Sequence, residues 1–379
     1  MEQFIMKTKV YLGEASLETL RDMGIKKVFV ICDPFMKSSH KVDMVTDLLE
    51  EAGAEFSVFA EVVPDPTIAV VTKAIEQMLV CRPDAVIALG GGSAIDTAKA
   101  AGLLYSGMSQ SERPELIAIP TTSGTGSEVT SFAVISDPEK QAKYPLVDDS
   151  MVPDTALLDP RFTVSVPPHI TADTGMDVLT HALEAYVSTD PGDFPDARAE
   201  KAARLVWRYL KTAVEDGSSM EAREKMHNAS CLAGVAFNGA SLGICHSLAH
   251  ALGGRFHIPH GRSNAMLLCH VIAYNAGLDT PGETAALKRY VEVANMLGIS
   301  AGTDKATVHG LIRQIRILMN QIHIPQYITE CGVDREEFLE AAGGMAQLAL
   351  DDNCTVTNPR KPSKEELENL YRCLCKGGY

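Results

Sequence analysis

No run of about 18 apolar residues occurs anywhere in the 379-residue chain, so a membrane-crossing helix is not expected. The opening stretch, MEQFIMKTKVYLG, has no basic segment followed by an apolar one, which argues against a secretory signal. There is no C-x-x-C pair. The nine cysteines (Cys32, Cys81, Cys231, Cys245, Cys269, Cys331, Cys354, Cys373, Cys375) are scattered and odd in number, the pattern of reduced thiols in an intracellular protein. Basic charge is in short supply, with 34 Lys and Arg against 49 Asp and Glu. The net charge of −15 is spread along the chain, which excludes nucleic acid and anionic membrane as main partners. The strict G-x-G-x-x-G fingerprint is absent. So is H-E-x-x-H, the motif that carries its own general base for metal-assisted hydrolysis. Internal repeats and low-complexity segments are also missing.

What is present suits two domains. A length of 379 residues exceeds one typical domain, and a hydrophobic fraction of 46% supplies a substantial core. Over residues 1–165 short apolar runs alternate with helical patterns. KKVFVICD (26–33), AEFSVFAEV (54–62), DAVIALGGGS (84–93) and ELIAIPTT (115–122) read as strands. MVTDLLEEAG, TIAVVTKAIEQMLV and SAIDTAKAAGLLY read as the helices between them. This alternation predicts a parallel sheet with helices on both faces. Residues 166–379 are predicted to be all helical, because five long stretches there show helical periodicity with Gly and Pro between them. The break falls in FTVSVPPHITADTG (162–175).

Two groups of residues carry chemistry. In the first half, Gly90, Gly91 and Gly92 end a buried strand and open a helix that continues through Ser93, Ala94 and Asp96. Backbone amides and a helix N-terminus at such a turn form an anion site, and glycine lets a pyrophosphate come close. The same glycines also suit a plain tight turn. The loop TTSGTGSEV (121–129) offers Thr121, Thr122, Thr125 and Ser127 as further donors. Asp33 ends the first of the strands quoted above, where a carboxylate accepts both hydroxyls of an adenosine ribose and repels a 2′-phosphate; a helix N-cap would use the same residue. Three features at strand ends are what a dinucleotide such as NAD requires.

In the second half, Asp177 and His181 stand at i, i+4, one helical turn apart. His246 and His250 in CHSLAH repeat the spacing, and IPHG then sets His260 on a loop. His257 and His270 have no partner at a useful spacing and read as ordinary core or surface residues. Asp177, His181, His246 and His260 form a nitrogen and oxygen donor set without thiolate, which suits Fe(II) or Zn(II) alike. A metal beside a nicotinamide site points to Lewis-acid work on an alcohol or aldehyde oxygen while hydride passes to or from the cofactor.

The ordered set GGGSAIDTAKA, PTTSGTGSEVT, DPRFTVSVPPHITADTGMDVLTHALEAY and CHSLAHALGGRFHIPHG resembles the iron-dependent (group III) alcohol dehydrogenases along essentially the whole chain. The resemblance implies an N-terminal nucleotide-binding α/β domain with a helical C-terminal domain, the dehydroquinate synthase-like fold. It implies metal ligation by Asp177, His181, His246 and His260. It places His250 near the metal as a substrate hydrogen-bonding group or proton relay. It also implies Phe237 beside nicotinamide and substrate, and Lys143 at the cofactor ribose. TKVYLGEASL, VICDPFM and FAEVVPDPTI are most similar to members that reduce propionaldehyde or acetaldehyde in bacterial microcompartments. Cys269 in LLCHV and the stretch STDPGDFPDARA (188–199) depart from the usual pattern.

The resulting expectation is an NAD(H)- and Fe(II)- or Zn(II)-dependent oxidoreductase for short-chain alcohols and aldehydes. It would be a cytoplasmic homodimer or higher oligomer, with packaging in a microcompartment implied by the finer resemblance. One alternative is a same-fold dehydrogenase for a diol or hydroxy acid (1,3-propanediol, lactaldehyde, 4-hydroxybutyrate, maleylacetate). A carboxylated substrate would want a cation such as Arg255 or Arg262. Another alternative is a nucleotide-binding protein that has lost catalysis, but degenerate ligands would mark it, and all four are present.

Overall fold

The computed structural model describes residues 4–109, 112–139 and 142–375. The chain divides into two units, Met1–Val166 and Pro167–Tyr379.

Among the described residues, the strands of the first unit are β1 (Lys9–Leu12), β2 (Lys27–Cys32), β3 (Glu55–Phe59), β4 (Ala85–Gly90), β5 (Glu115–Pro120), β6 (Phe132–Asp137), β7 (Ala142–Val147) and β8 (Thr155–Leu158). Its helices are α1 (Pro34–Ser38), α2 (Asp43–Glu51), α3 (Ile68–Cys81) and α4 (Gly92–Ser109). Six strands form one parallel sheet in the order β3-β2-β4-β5-β8-β1. β2, β4 and β5 lie inside the sheet and read KVFVIC, AVIALG and ELIAIP. Helices cover both of their faces, so they run apolar without alternation. Successive residues still point to opposite sides. Val28 and Val30 pack with Leu17, Leu20 and Leu49 in one core layer, while Phe29 and Ile31 pack with Met78, Ile95 and Tyr105 in the other.

From β2 the chain goes to β3 on one side, then to β4 and β5 on the other. The carboxyl ends of β2 and β4 therefore flank a topological switch point, where open α/β sheets form a ligand crevice. β6 and β7 form a separate antiparallel pair, from Phe132 opposite Val147 to Asp137 opposite Ala142. Neither this pair nor β8 follows from a search for long apolar runs. β8 has only four residues, and β6 alternates buried and less buried positions.

Helices α5 (Pro168–Val187), α6 (Asp193–Glu215), α7 (Met220–Ala240), α8 (Ile244–Phe256), α9 (His260–Asn275), α10 (Ala285–Met296), α11 (Asp304–Gln321), α12 (Arg335–Leu350) and α13 (Lys364–Arg372) build the second unit, which has no strand among its described residues. α6 is amphipathic, burying Ala199, Ala202, Ala203, Val206, Leu210 and Ala213 on one face. α5 differs. It packs against α6, α7 and α9, and every residue from Gly175 to Val187 is buried. A helix enclosed on all sides should be apolar throughout. This one carries Asp177, His181 and Glu184 at i, i+4 and i+7. Among the described residues, no single helix is long and apolar enough to cross a membrane.

Candidate active site

The first unit gathers Asp33, Gly91, Gly92, Ser93, Ala94 and Thr121 just beyond the carboxyl ends of β2, β4 and β5. Asp33 follows β2 and caps α1, its Oδ1 accepting the Met36 N–H at 3.0 Å. Its Oδ2 lies 3.9 Å from where a side chain on Gly90 would begin. Gly91 and Gly92 lead into α4, and Ser93 and Ala94 follow in its first turn. A methyl group on Gly92 would stand 2.8 Å from Thr125 Cγ2, so the glycine turn and the 121–129 loop touch, which a side chain at Gly92 would not permit unshifted. Thr121 bonds back to this turn through its N–H, 3.0 Å from the Gly90 carbonyl. Thr122 and Thr125 are half-buried and exposed.

Asp96 and Ser127 are committed elsewhere. Asp96 Oδ1 accepts the Ser127 hydroxyl at 2.8 Å, and Oδ2 accepts the Val134 N–H at 3.0 Å. Beneath them lies Lys99, which sequence reasoning passed over. It is 1% exposed, and its Nζ donates to Ser127 Oγ, Thr130 Oγ1 and the Phe132 carbonyl at 2.9, 3.2 and 2.8 Å. Burial lowers its ammonium to about 8, against the charges of Asp96 and Glu128. Burial likewise raises the neighbouring Glu128 to about 7. The only signal in the sequence was a lysine three residues beyond Asp96 in an otherwise small and apolar helix. Lys143 sits in β7 opposite Ser136, and its side chain lies outside the described residues.

The second unit brings four other predicted residues together. Asp177 and His181 come from α5, His246 from α8, and His260 from α9. One donor atom from each lies within 4.8 Å of all the others. His260 is not on a loop, as its IPHG context predicts, but is the first residue of α9 after Pro259. Gly261 explains how α9 approaches α5 so closely. A side chain there would stand 2.2 Å from the Asp173 carbonyl oxygen and 3.1 Å from Asp177 Cβ.

Burial governs the protonation of this cluster. It raises the Asp177 carboxyl, opposed first by His181. It lowers His181 to about 3 and His246 well below the usual histidine range. The imidazoles therefore offer lone pairs at neutral pH. His181 Nδ1 and His246 Nε2 are buried and have no hydrogen-bond partner. Orphaned nitrogens of this kind are costly inside a protein unless a cation takes the lone pairs. The donor set thus fits a divalent metal.

Three further residues shape the cluster. Glu184 Oε2 lies 2.5 Å from His246 Nδ1, and its Oε1 accepts the Cys245 N–H at 2.7 Å. Burial raises Glu184 to about 7; in its ionised form the carboxylate keeps the proton on Nδ1 and leaves Nε2 free. Asn264 Nδ2 donates to Asp177 Oδ1 at 2.7 Å and lies 3.1 Å from His260 Nε2. Asp352 Oδ2 lies 2.8 Å from His250 Nδ1. Glu184 and Asn264 were findable, standing one turn beyond His181 and His260 on the same helices. Asp352 had no spacing signal, being 102 residues from its partner.

Phe237, from α7, stacks on His181 with centroids 4.6 Å apart, and His250 stacks on His260 at 5.2 Å. His257 ends α8 in the left-handed conformation, with φ of 55°, and is not among the four donors. His270 is not in the cluster either, and burial lowers it to about 4. Arg262 is engaged by both oxygens of Asp173, at 3.1 and 2.9 Å, and Arg255 pairs with Glu337 at 3.2 Å.

Family models match nearly all of this chain: iron-containing alcohol dehydrogenase over residues 7–160, and the C-terminal part of the Fe-containing alcohol dehydrogenase family over residues 171–375. The 1-propanol dehydrogenase PduQ of Salmonella typhimurium is 47% identical over 376 residues, 99% of this chain and 100% of that one. The NADPH-dependent butanol dehydrogenase of Clostridium saccharobutylicum is 38% identical over 392 residues, covering 100% and 99%. Among solved structures, an iron-containing alcohol dehydrogenase from Thermococcus thioreducens superposes with a TM-score of 0.90 at 32% identity, over 99% of this chain and 100% of that one. Sulfoacetaldehyde reductase from Bifidobacterium kashiwanohense, in complex with NAD+, superposes with a TM-score of 0.87 at 28% identity, over 100% and 99%. Matched in both units and over its full length, the chain belongs to the iron-containing alcohol dehydrogenase family and is an oxidoreductase that interconverts alcohols and aldehydes.

Proposed function

We propose that this protein is an NAD(H)-dependent, Fe(II)-dependent dehydrogenase for short-chain primary alcohols and aldehydes, with propionaldehyde and 1-propanol as the leading pair. The observation that carries the metal assignment is the convergence of Asp177, His181, His246 and His260 with two buried nitrogens left unpaired. These four residues hold the ion, which Zn(II) also suits. When bound, the ion supplies Lewis acidity toward a substrate oxygen, and the nicotinamide supplies a hydride acceptor or donor. Glu184 keeps the His246 lone pair directed at the donor cluster. Asn264 holds the Asp177 carboxylate. Phe237 covers the His181 ring with an apolar face and excludes water from that side. His250 takes or gives the proton that accompanies hydride transfer.

In the first unit, read as the NAD-binding domain of residues 1–165, the amides at Gly91, Gly92, Ser93 and Ala94 face the pyrophosphate. Thr121, Thr122 and Thr125 add donors, and Lys143 serves the ribose. Asp33 favours a ribose with both hydroxyls free and disfavours a 2′-phosphate. Asp96 and Ser127 act from below, holding the loop rather than the cofactor. Residues 166–379 form the metal-binding domain. A hydroxy-acid substrate is disfavoured because Arg255 and Arg262 are already paired with carboxylates. Homo-oligomerisation, a cytoplasmic setting and packaging in a bacterial microcompartment follow from the family resemblance of the sequence.

The test is anaerobic NADH oxidation with propionaldehyde, on protein stripped of metal and then given Fe(II) or Zn(II). Strong activity returning only with metal is expected, with Fe(II) the better ion. Activity indifferent to metal would overturn the ligand assignment. Activity confined to diols or hydroxy acids would overturn the substrate assignment.

A further inference from the structure

We propose that Asp352 is a positioning residue that fixes the tautomer and orientation of His250, an inference that rests on the reading of His250 as the proton-carrying group. His250 has a side chain 44% exposed, so packing alone does not hold it. One ring face lies on His260, with centroids 5.2 Å apart and planes 17° apart. Its Nδ1 lies 2.8 Å from Asp352 Oδ2. Asp352 is itself anchored. Its Oδ1 accepts the Cys354 N–H at 2.8 Å and the Ser247 hydroxyl at 3.3 Å. The Ser247 hydroxyl in turn accepts from Thr355 Oγ1 at 2.8 Å. Ser247 precedes His250 by one turn of α8, while Asp352 caps the short 3-10 turn Asn353–Thr357. Two separate elements thus grip one carboxylate.

An ionised carboxylate only accepts hydrogen bonds, so the proton between the two groups belongs to His250 Nδ1. The lone pair is then on Nε2, and proton exchange is confined to that atom. Without Asp352, the exposed ring is free to rotate, and either nitrogen can carry the proton. The consequence falls on turnover rather than on metal or aldehyde binding, because neither requires a particular His250 tautomer.

Two measurements test this. In the Zn(II)-loaded, diamagnetic enzyme, nitrogen-15 NMR of the histidine side chains reports each tautomer, and His250 is assigned by its loss in His250→Asn. The Nδ1–H form is expected; the Nε2–H form overturns the proposal. In the metal-loaded enzyme, Asp352→Asn should lower kcat roughly 10- to 100-fold, by analogy with the hydrogen-bond partners of metal-bound imidazoles, with metal content and aldehyde KM unchanged. In a His250→Asn background the same change should cost nothing more. An equal loss in both backgrounds would make Asp352 merely structural and overturn the proposal. If Asp352→Asn fails to fold, the tautomer of the wild-type enzyme still decides. Full activity in His250→Asn alone would overturn the reading of His250 itself, a result distinct from a wrong tautomer in an enzyme that needs His250.

Discussion

The two candidate sites are built on opposite plans. In the first unit the parts we propose to face the ligand are backbone amides and small hydroxyls on loops, with Asp96 and the buried Lys99 bonded to the 121–129 loop. In the second unit the ligand-facing parts are themselves side chains, and the backbone that carries them is helix. A site made of amides depends on where the chain runs. A site made of imidazoles depends on which residue stands at each position and on what orients its ring. The first plan should therefore fail through its supports, the second through its donors.

Two variants break or sharpen this contrast and a third gives a reference, from largest effect to smallest. His246→Ala removes a donor outright. Metal retention should be lost and turnover should fall more than about 100-fold, while NADH still binds. Metal analysis beside a cofactor-binding titration checks this, and an enzyme that keeps its metal would contradict the donor role. Lys99→Met removes a support. It strips three hydrogen bonds from a buried network and leaves carboxylates behind, at a cost of about 3 kcal/mol. The KM for NADH should rise while metal content stays as in the wild type, and denaturant unfolding should register the stability loss. A variant that lost metal instead would erase the distinction between the two plans.

The third concerns neither plan and serves as a reference. Burial lowers His270 to about 4 from an ordinary 6.5. The Arg316 charge adds to this. A depressed folded-state pKa means stability is fully present above about 6.5 and drains away as pH falls toward 4. The loss is at most about 3 kcal/mol. In His270→Gln that part of the slope should vanish, as thermal melts across pH 7 to 4 would show. An unchanged slope would mean the site is hydrated in solution.

The sequence was most legible where one period dominated. β2, β4 and β5 are buried on both faces, so their apolar runs stand out between helical patterns. The i, i+4 pairs Asp177–His181 and His246–His250 stand out because a helix turns spacing into adjacency. What escaped was whatever depended on distant contact. β8 is too short to announce itself, and β6 and β7 find each other only as a pair. Asp352 meets His250 across more than a hundred residues. Asp96 shows a subtler limit. Position along the chain cannot say which way a side chain turns. Here both oxygens turn toward Ser127 and Val134.

α5 is enclosed from Gly175 to Val187 and holds two of the four donors in the middle of the hydrophobic core. Occupancy of the donor cluster and integrity of the core are therefore one equilibrium. A ligand that binds only the folded state adds about 1.4 kcal/mol of stability for each tenfold excess over its dissociation constant. Metal loading should therefore raise resistance to unfolding as well as turnover.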